Sequence, residues 1–396
     1  MKNNSSLLLN KTAGTLLLLL FFVSMRSVAQ YTLRIELGAL PSAHLNDSIF
    51  VAGNFNNWQP GKAGYHFSSG NNKLVVEIKN LPPDIYEFKF TRGGWKNVEA
   101  SIDGADVGNK IIKLISDSTI KYNIAGWKDD FAPVPKTHTA SEQVQIIDTA
   151  FFMPQLNRSR RIWIYLPAGY EKSKKKYPVL YMHDGQNLFD DYTSAYGEWG
   201  VDESLDSLIK KGKPACIVVG IDNGPKRFNE YNPYEFREFG KGEGDLYLEF
   251  LVKTLKPFID RQYRTMPSKE NTIIAGSSMG GLISFYAMLQ YPDIFGKAGI
   301  FSPAFWTAPP IKIVTNSLGK ELNGKLFFYM GELEGGTYIK DMQEVQEILG
   351  ERSATMIYSV IDPESSHNEQ AWRKWFAEFY TWIMANGFNN VIKLNE

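Results

Sequence analysis

Hydrophobic and polar positions alternate in two different ways along this chain. From residue 31 to about residue 127, short runs switch between apolar and polar at every step, as in 32–37 (Thr-Leu-Arg-Ile-Glu-Leu), 47–53, 73–78 and 85–90 (Ile-Tyr-Glu-Phe-Lys-Phe). A period of two puts one set of side chains on each face of a strand, and the Gly and Asn breaks between runs mark turns. This stretch predicts a small all-β sandwich. Residues 128–143, with Pro133, Pro135 and mixed polar positions, read as a linker. From residue 144 onward strand-like and helix-like segments take turns. Residues 161–167, 177–182, 215–221, 271–275, 298–301, 325–330 and 355–361 read as strands; 246–263, 281–289 and 369–385 read as helices. Such alternation predicts an α/β domain over 144–396 with a mostly parallel sheet covered on both faces.

The strand at 271–275 runs into Gly276-Ser277-Ser278-Met279-Gly280 and then directly into an apolar helix. Strand, tight turn and helix are the setting a serine nucleophile needs, since a hydroxyl reacts poorly unless a strained turn lifts it out of the fold, and the flanking glycines let strand and helix pack closely. Ser278 is the candidate nucleophile. The backbone N–H of Met279, at the positive end of that helix, is the first candidate oxyanion donor. A glycine-containing turn after the 177–182 strand, His183-Asp184-Gly185-Gln186, supplies the second at Gln186.

The chain holds five histidines, His44, His66, His138, His183 and His367. In hydrolases with this elbow the acid and then the base follow the nucleophile in sequence. His367 is the histidine that does, in a polar loop between a strand and an aromatic-rich helix. His183 precedes the nucleophile and reads as structural. The acid should follow the 325–330 strand, where Glu332 and Glu334 compete. A carboxylate that accepts the imidazole Nδ1 proton must turn inward from a loop end; Glu334, followed by Gly335-Gly336, suits this better, and Glu332 is the second choice.

The residue pattern has a family resemblance. Residues 181–190 (Tyr-Met-His-Asp-Gly-Gln-Asn-Leu-Phe-Asp), 220–224 with Arg227, Glu230 and Tyr231, the 276–281 elbow, and His367-Asn368-Glu369 with Trp372 together resemble the putative-esterase family. That family groups feruloyl and acetylxylan esterases with enterochelin-type siderophore esterases and esterase D relatives. The resemblance covers roughly 144–387 and implies an α/β-hydrolase fold, with a Ser–acid–His triad carried onto Ser278, Glu334 and His367. The loop departs from the His-Gly-x-Gly of many feruloyl esterases, and the acid is Glu rather than Asp, which keeps Glu332 open. Candidate substrate contacts are Asp184, Trp199, Arg227 and Trp306. In the first region, Gly53-Asn54-Phe55-Asn56-Asn57-Trp58 and the segment 86–99 resemble starch- and glycogen-binding modules. If that module binds glycan, Trp95 and Lys96 are better candidates than Trp58, which is expected in the core.

Composition narrows the partners. Lys plus Arg and Asp plus Glu both total 43 in 396 residues, and a net charge of zero argues against nucleic acid, which needs a basic excess. Met1-Lys2, the apolar stretch 16–23 and Ser27-Val28-Ala29 before Gln30 read as a secretory signal over 1–29, making a secreted or periplasmic protein. No cysteine lies near that site, which argues against a lipoprotein anchor. Cys216 is the single cysteine, so no intrachain disulfide can form. Nothing in the sequence calls for a cofactor or metal. Aromatic content of 14% makes sugar or aromatic-ester surfaces worth considering. The leading expectation is a secreted serine carboxylic-ester hydrolase acting on feruloyl or acetyl esters of polysaccharide. A siderophore trilactone esterase, with Lys226 and Arg227 facing a catecholate, is the first alternative, and a non-catalytic carbohydrate-binding protein the second. The acyl group, hydrolysis against acyl transfer, and the oligomeric state stay open.

Overall fold

A computed structural model describes residues 29–70, 73–133, 135–385 and 391–392; the leader expected over 1–29 lies almost wholly outside the described residues. The first region is all β: β1 (Tyr31–Leu37), β2 (Phe50–Gly53), β3 (Ser68–Gly70), β4 (Lys73–Leu81), β5 (Asp84–Thr91), β6 (Glu99–Ala100), β7 (Lys110–Leu114), β8 (Ser118–Tyr122) and β9 (Gly126–Trp127). A four-stranded sheet β3-β4-β1-β8 and a three-stranded sheet β2-β5-β7 share one core, with Leu33, Ile35, Val76 and Ile78 from the first meeting Val51, Phe88, Phe90 and Leu114 from the second. Period two in the sequence becomes a sandwich because each sheet turns its apolar side inward.

The second region contains β10 (Val144–Met153), β11 (Arg158–Tyr165), β12 (Val179–His183), α1 (Val201–Lys210), β13 (Ile217–Ile221), α2 (Arg227–Glu230), α3 (Gly244–Phe250), α4 (Lys256–Gln262), β14 (Thr272–Ser277), α5 (Met279–Gln290), β15 (Lys297–Phe301), α6 (Ile311–Leu318), β16 (Lys325–Gly331), α7 (Tyr338–Arg352), β17 (Met356–Asp362), α8 (Glu369–Met384) and β18 (Val391–Ile392). The helix expected over 246–263 is interrupted by a π-turn at Leu251–Leu255 between α3 and α4. One nine-stranded sheet runs β10-β11-β13-β12-β14-β15-β16-β17-β18. β10, β11 and β13 pair antiparallel, and from β13 to β18 every pairing is parallel.

Both faces of the central strands β12 to β16 are buried, which is why these strands read as unbroken apolar runs. Val179 and Tyr181 of β12 face one core with Leu282, Ile283 and Phe285 of α5. Leu180 and Met182, the alternate residues, face the other with Trp372, Phe376 and Phe379 of α8.

Two contacts fix the β-rich region against the sheet domain. Residues 136–141, inside the expected linker, are laid along the second region. The His138 ring meets Asp190 at 2.7 Å, Thr139 N donates to Asp190 at 3.1 Å and Ser141 N to Asp202 at 2.7 Å. At the other side the N-terminal end of β5 docks on the loop after β16, where Gly336 N donates to Asp84 Oδ1 at 2.7 Å. Gly335 has a positive φ of 72°, and a side chain there would meet the Ile85 carbonyl at 2.8 Å.

Candidate active site

The site forms along the carboxyl ends of β12, β14, β15, β16 and β17, where parallel strands leave loops free to converge. Ser278 follows β14 with φ 59° and ψ −120°, a conformation that costs a non-glycine residue about 1–3 kcal/mol. Neighbouring packing holds it there. Ser278 N donates to Phe301 O at 2.9 Å and Ala304 N to Ser278 O at 3.0 Å. A Cβ on Gly276 would lie 2.9 Å from the Gly280 carbonyl carbon, and one on Gly281 would lie 2.8 Å from Phe301 O. The elbow glycines are therefore required by close approach.

Met279 opens α5 and Gln186 lies in the turn Gly185–Asn187 after β12. Among the described residues neither backbone N–H has a hydrogen-bond acceptor. The Gln186 side chain accepts from Asn223 N at 3.1 Å and its carbonyl from Thr193 Oγ1 at 2.7 Å, which fixes the turn.

Glu334 and Glu332 differ in what they touch. Glu334 is buried and its Oε2 lies 2.7 Å from His367 Nδ1, whereas Glu332 faces solvent. Glu334 Oε1 accepts from Gly331 N at 2.9 Å and from Ser302 Oγ at 2.5 Å, and Ser302 in turn accepts from Trp372 Nε1 at 2.9 Å. A carboxylate held at three points can keep the imidazole in the Nδ1–H tautomer with Nε2 free. His367 is 39% exposed, with its ring edge-on to Trp372 at 5.0 Å. Its loop is pinned beneath by Asp362, which accepts from Ser365, Lys374 and Trp375 at 2.7 Å each. Burial pushes the Asp362 carboxyl up, but those donors outweigh it and hold its pKa down to about 2. No hydrogen bond joins Ser278 Oγ to His367 in this structure; such contacts are often long in unliganded sites.

The charge on His367 is governed by its neighbours. Desolvation lowers its pKa, yet the Glu334 charge and hydrogen bond, with further help from Glu369 and Glu87, raise it above the ordinary histidine value. Glu369, buried at the start of α8, is pushed up to about 7, mainly by desolvation. His183 behaves oppositely. It is buried at the end of β12 with Nδ1 2.9 Å from the Tyr247 hydroxyl, and desolvation lowers its pKa to about 4. A neutral histidine there packs under the elbow, 3.0 Å from where a Gly276 Cβ would stand.

Two expected substrate contacts require correction. Asp184 is buried, and its carboxylate is occupied by Arg227 Nε at 2.7 Å, Arg227 Nη2 at 2.8 Å and Asn223 Nδ2 at 2.6 Å; it organises the loop, at a backbone φ of 58°. Trp199 is buried against Phe301 and Trp372, so it belongs to the core. Arg227 is tied to Asp184 and lies over the Tyr231 ring. Trp306 does reach the surface, at 43% exposure.

Trp306 also belongs to a line of rings that sequence reasoning missed. Phe228 stacks on Phe239 at 4.1 Å, Phe239 meets Phe236 at 5.5 Å, Phe236 meets Trp306 at 5.6 Å, and Trp306 stacks on Tyr338 at 6.0 Å. The turn carrying Trp306 is tied to the elbow through Ala304. Ser302 and Glu369 were missed too. No spacing marks Ser302; its signal is sheet order, since it follows β15, the strand between nucleophile and acid.

In the β-rich region, Trp95 and Lys96 are exposed. Trp58, expected in the core, is half-buried with its ring 6.2 Å from that of Trp95. Among the described residues no cluster of three His, Cys, Asp or Glu side chains is placed to hold a metal ion, and no helix is long and apolar enough to cross a membrane.

This sheet, elbow and helix arrangement is an α/β-hydrolase. Residues 154–382 match the family described as Putative esterase. The chain belongs to that family, and it is a carboxylic ester hydrolase. It is 26% identical over 242 residues to the protein YbbA of Bacillus subtilis, covering 57% of this chain and 92% of that one. It is 29% identical over 171 residues to the endo-1,4-beta-xylanase/feruloyl esterase of Xylanibacter ruminicola, covering 42% of this chain but only 23% of that enzyme. The crystal structure of the enterobactin esterase FES from Shigella flexneri superposes with a TM-score of 0.51 at 16% identity, over 85% of this chain and 88% of that one. That likeness is one of fold.

Proposed function

We propose that this protein is a secreted serine esterase that cleaves aromatic, feruloyl-type esters attached to polysaccharide, using Ser278, Glu334 and His367. The observation that carries the mechanism is the 2.7 Å contact between Glu334 Oε2 and His367 Nδ1, taken together with a serine on a strained elbow. His367 Nε2 takes the proton from Ser278 Oγ as that oxygen attacks the acyl carbon. Met279 and Gln186 N–H groups receive the negative charge that develops on the carbonyl oxygen. The imidazolium, stabilised by Glu334, then protonates the departing alcohol oxygen and leaves an acyl-serine. Water, deprotonated by the same imidazole, attacks the acyl carbon, releases the acid and restores Ser278.

The aromatic acyl group is favoured over acetyl by the ring line from Phe228 to Tyr338, whose Trp306 sits on the turn that Ala304 ties to Ser278, since flat apolar faces are well used only by a planar acyl group. The feruloyl esterase named among the relatives agrees with this choice. The polysaccharide part of the proposal rests on the Trp58–Trp95 pair in a module spanning 30–127, followed by the connecting segment 128–143 and the esterase domain 144–396. Purified protein should hydrolyse methyl ferulate faster than p-nitrophenyl acetate, acetylated xylan or a catecholate trilactone. Preference for the trilactone would move the reading to a siderophore esterase, and preference for acetyl esters would remove the aromatic acyl group.

A further inference from the structure

Tyr86, Phe88 and Phe90 of β5 point into the sandwich core. Period two therefore sends Ile85, Glu87 and Lys89 to the opposite face. An outward carboxylate on a small sandwich should be solvated, yet Glu87 is only 7% exposed. It is buried because the second region covers this face of β5. Glu87 Oε2 accepts from Asn109 Nδ2 at 2.8 Å, while Oε1 is buried with no hydrogen-bond partner. Across the boundary the Ser366 hydroxyl, the residue before His367, lies within hydrogen-bonding reach of its carboxylate, and His367, Glu334 and Tyr338 lie within electrostatic range of it. Three residues earlier on the strand, Asp84 clamps Gly336, so β5 is fastened to the very loop that carries Glu334.

We propose that Glu87 is a positioning residue for His367, supplied by the β-rich region, so that this region is a wall of the active site as well as any glycan-targeting module. The inference rests on the assignment of His367 as base. A carboxylate buried at this boundary, with Asn109 and the Ser366 hydroxyl as its hydrogen-bonding neighbours, is stabilised in its charged form by a positive charge forming beside it. That charge forms on the imidazole each time Ser278 gives up its proton. Glu334 faces the ring from the loop after β16, Glu369 from α8, and Glu87 from β5, while the Trp372 ring closes the remaining side. Burial draws both Glu369 and Glu87 toward their neutral forms, so Glu334 is the principal anion facing the imidazolium, and Glu87 and Glu369 add to it as the ring takes its proton.

The test is the near-isosteric substitution Glu87→Gln in the full chain, read on a soluble p-nitrophenyl ester that needs no glycan contact. With one anion gone from beside the ring, the His367 pKa falls, so the acid limb of the kcat/KM profile moves to lower pH. The expected cost is about tenfold in kcat with KM little changed. The same shift should be read without catalysis from the Cε1–H resonance of His367, identified by its loss in His367→Gln. A limb and a resonance that titrate as in the wild type overturn the proposal, whatever happens to kcat. An inactive wild type whose His367 resonance still shifts with Glu87→Gln would instead count against the esterase reading while upholding the coupling.

Discussion

Ser302 Oγ donates to Glu334 Oε1 at 2.5 Å. This short contact places the residue that follows β15 under the carboxylate that follows β16, so adjacent strands fasten Glu334 from below while His367 engages its other oxygen. Glu332, two residues away in the same turn, has no such seat.

Glu334→Gln is expected to lower turnover by about three to four orders of magnitude, because the amide both loses the charge facing the imidazolium and can present the wrong tautomeric partner to Nδ1. Glu332→Gln should stay within about twofold of wild type. Steady-state kinetics of the two variants on one soluble ester separates them, and the reverse order of damage would exchange their roles.

The pH profile should carry the sign of the His367 environment. A base must be unprotonated to act, and the kcat/KM profile reports its pKa in the free enzyme. Since Glu334 and its companions raise that pKa, the acid limb should lie above about 6.5, the ordinary histidine value. Activity is lost as pH falls through the raised pKa. A limb below 6.5 would mean that desolvation outweighs the surrounding carboxylates.

Much of this was legible before any coordinates. The elbow at Ser278 and the loop position of His367 were legible because a strand–glycine–serine–helix run and a shortage of histidines leave few choices, and the β-rich and α/β regions followed from the change of hydrophobic period. Glu334 over Glu332 needed a contact, since both sit in one turn and the distinction is which way a side chain points. Trp199 was misread because a tryptophan near a loop motif looks the same in sequence whether it lines a cleft or packs on Phe301 and Trp372. Asp184 was misread because its partner Arg227 is 43 residues away. Glu87 was invisible as a site residue, for its burial is caused by a region that begins more than fifty residues later.

Trp306→Ala should reveal the acyl preference. Removing one ring from the Phe228–Tyr338 line takes away contact area that an aromatic acyl group uses and an acetyl group does not. The expected result is a fall of about tenfold in kcat/KM on methyl ferulate and less than twofold on p-nitrophenyl acetate. Equal losses on both would show that the ring shapes the pocket generally.

Trp95→Ala tests the other end of the β-rich region. With a rise of about 3.3 Å per residue, β5 separates the Trp58–Trp95 pair from the Asp84 dock by roughly 20 Å, too far for a small ester to touch both. Retention on insoluble xylan or starch should drop, and release of ferulate from polymer should fall by several-fold, with methyl ferulate hydrolysis unchanged. Unchanged retention in a pull-down would remove glycan binding from this surface.

The central claim is that Ser278 is the nucleophile, and the most direct test is the residual turnover of Ser278→Ala on the best soluble ester of the wild type. The account predicts a loss of about four orders of magnitude or more in kcat with the fold retained; hydrolysis within about tenfold of the wild type would contradict it.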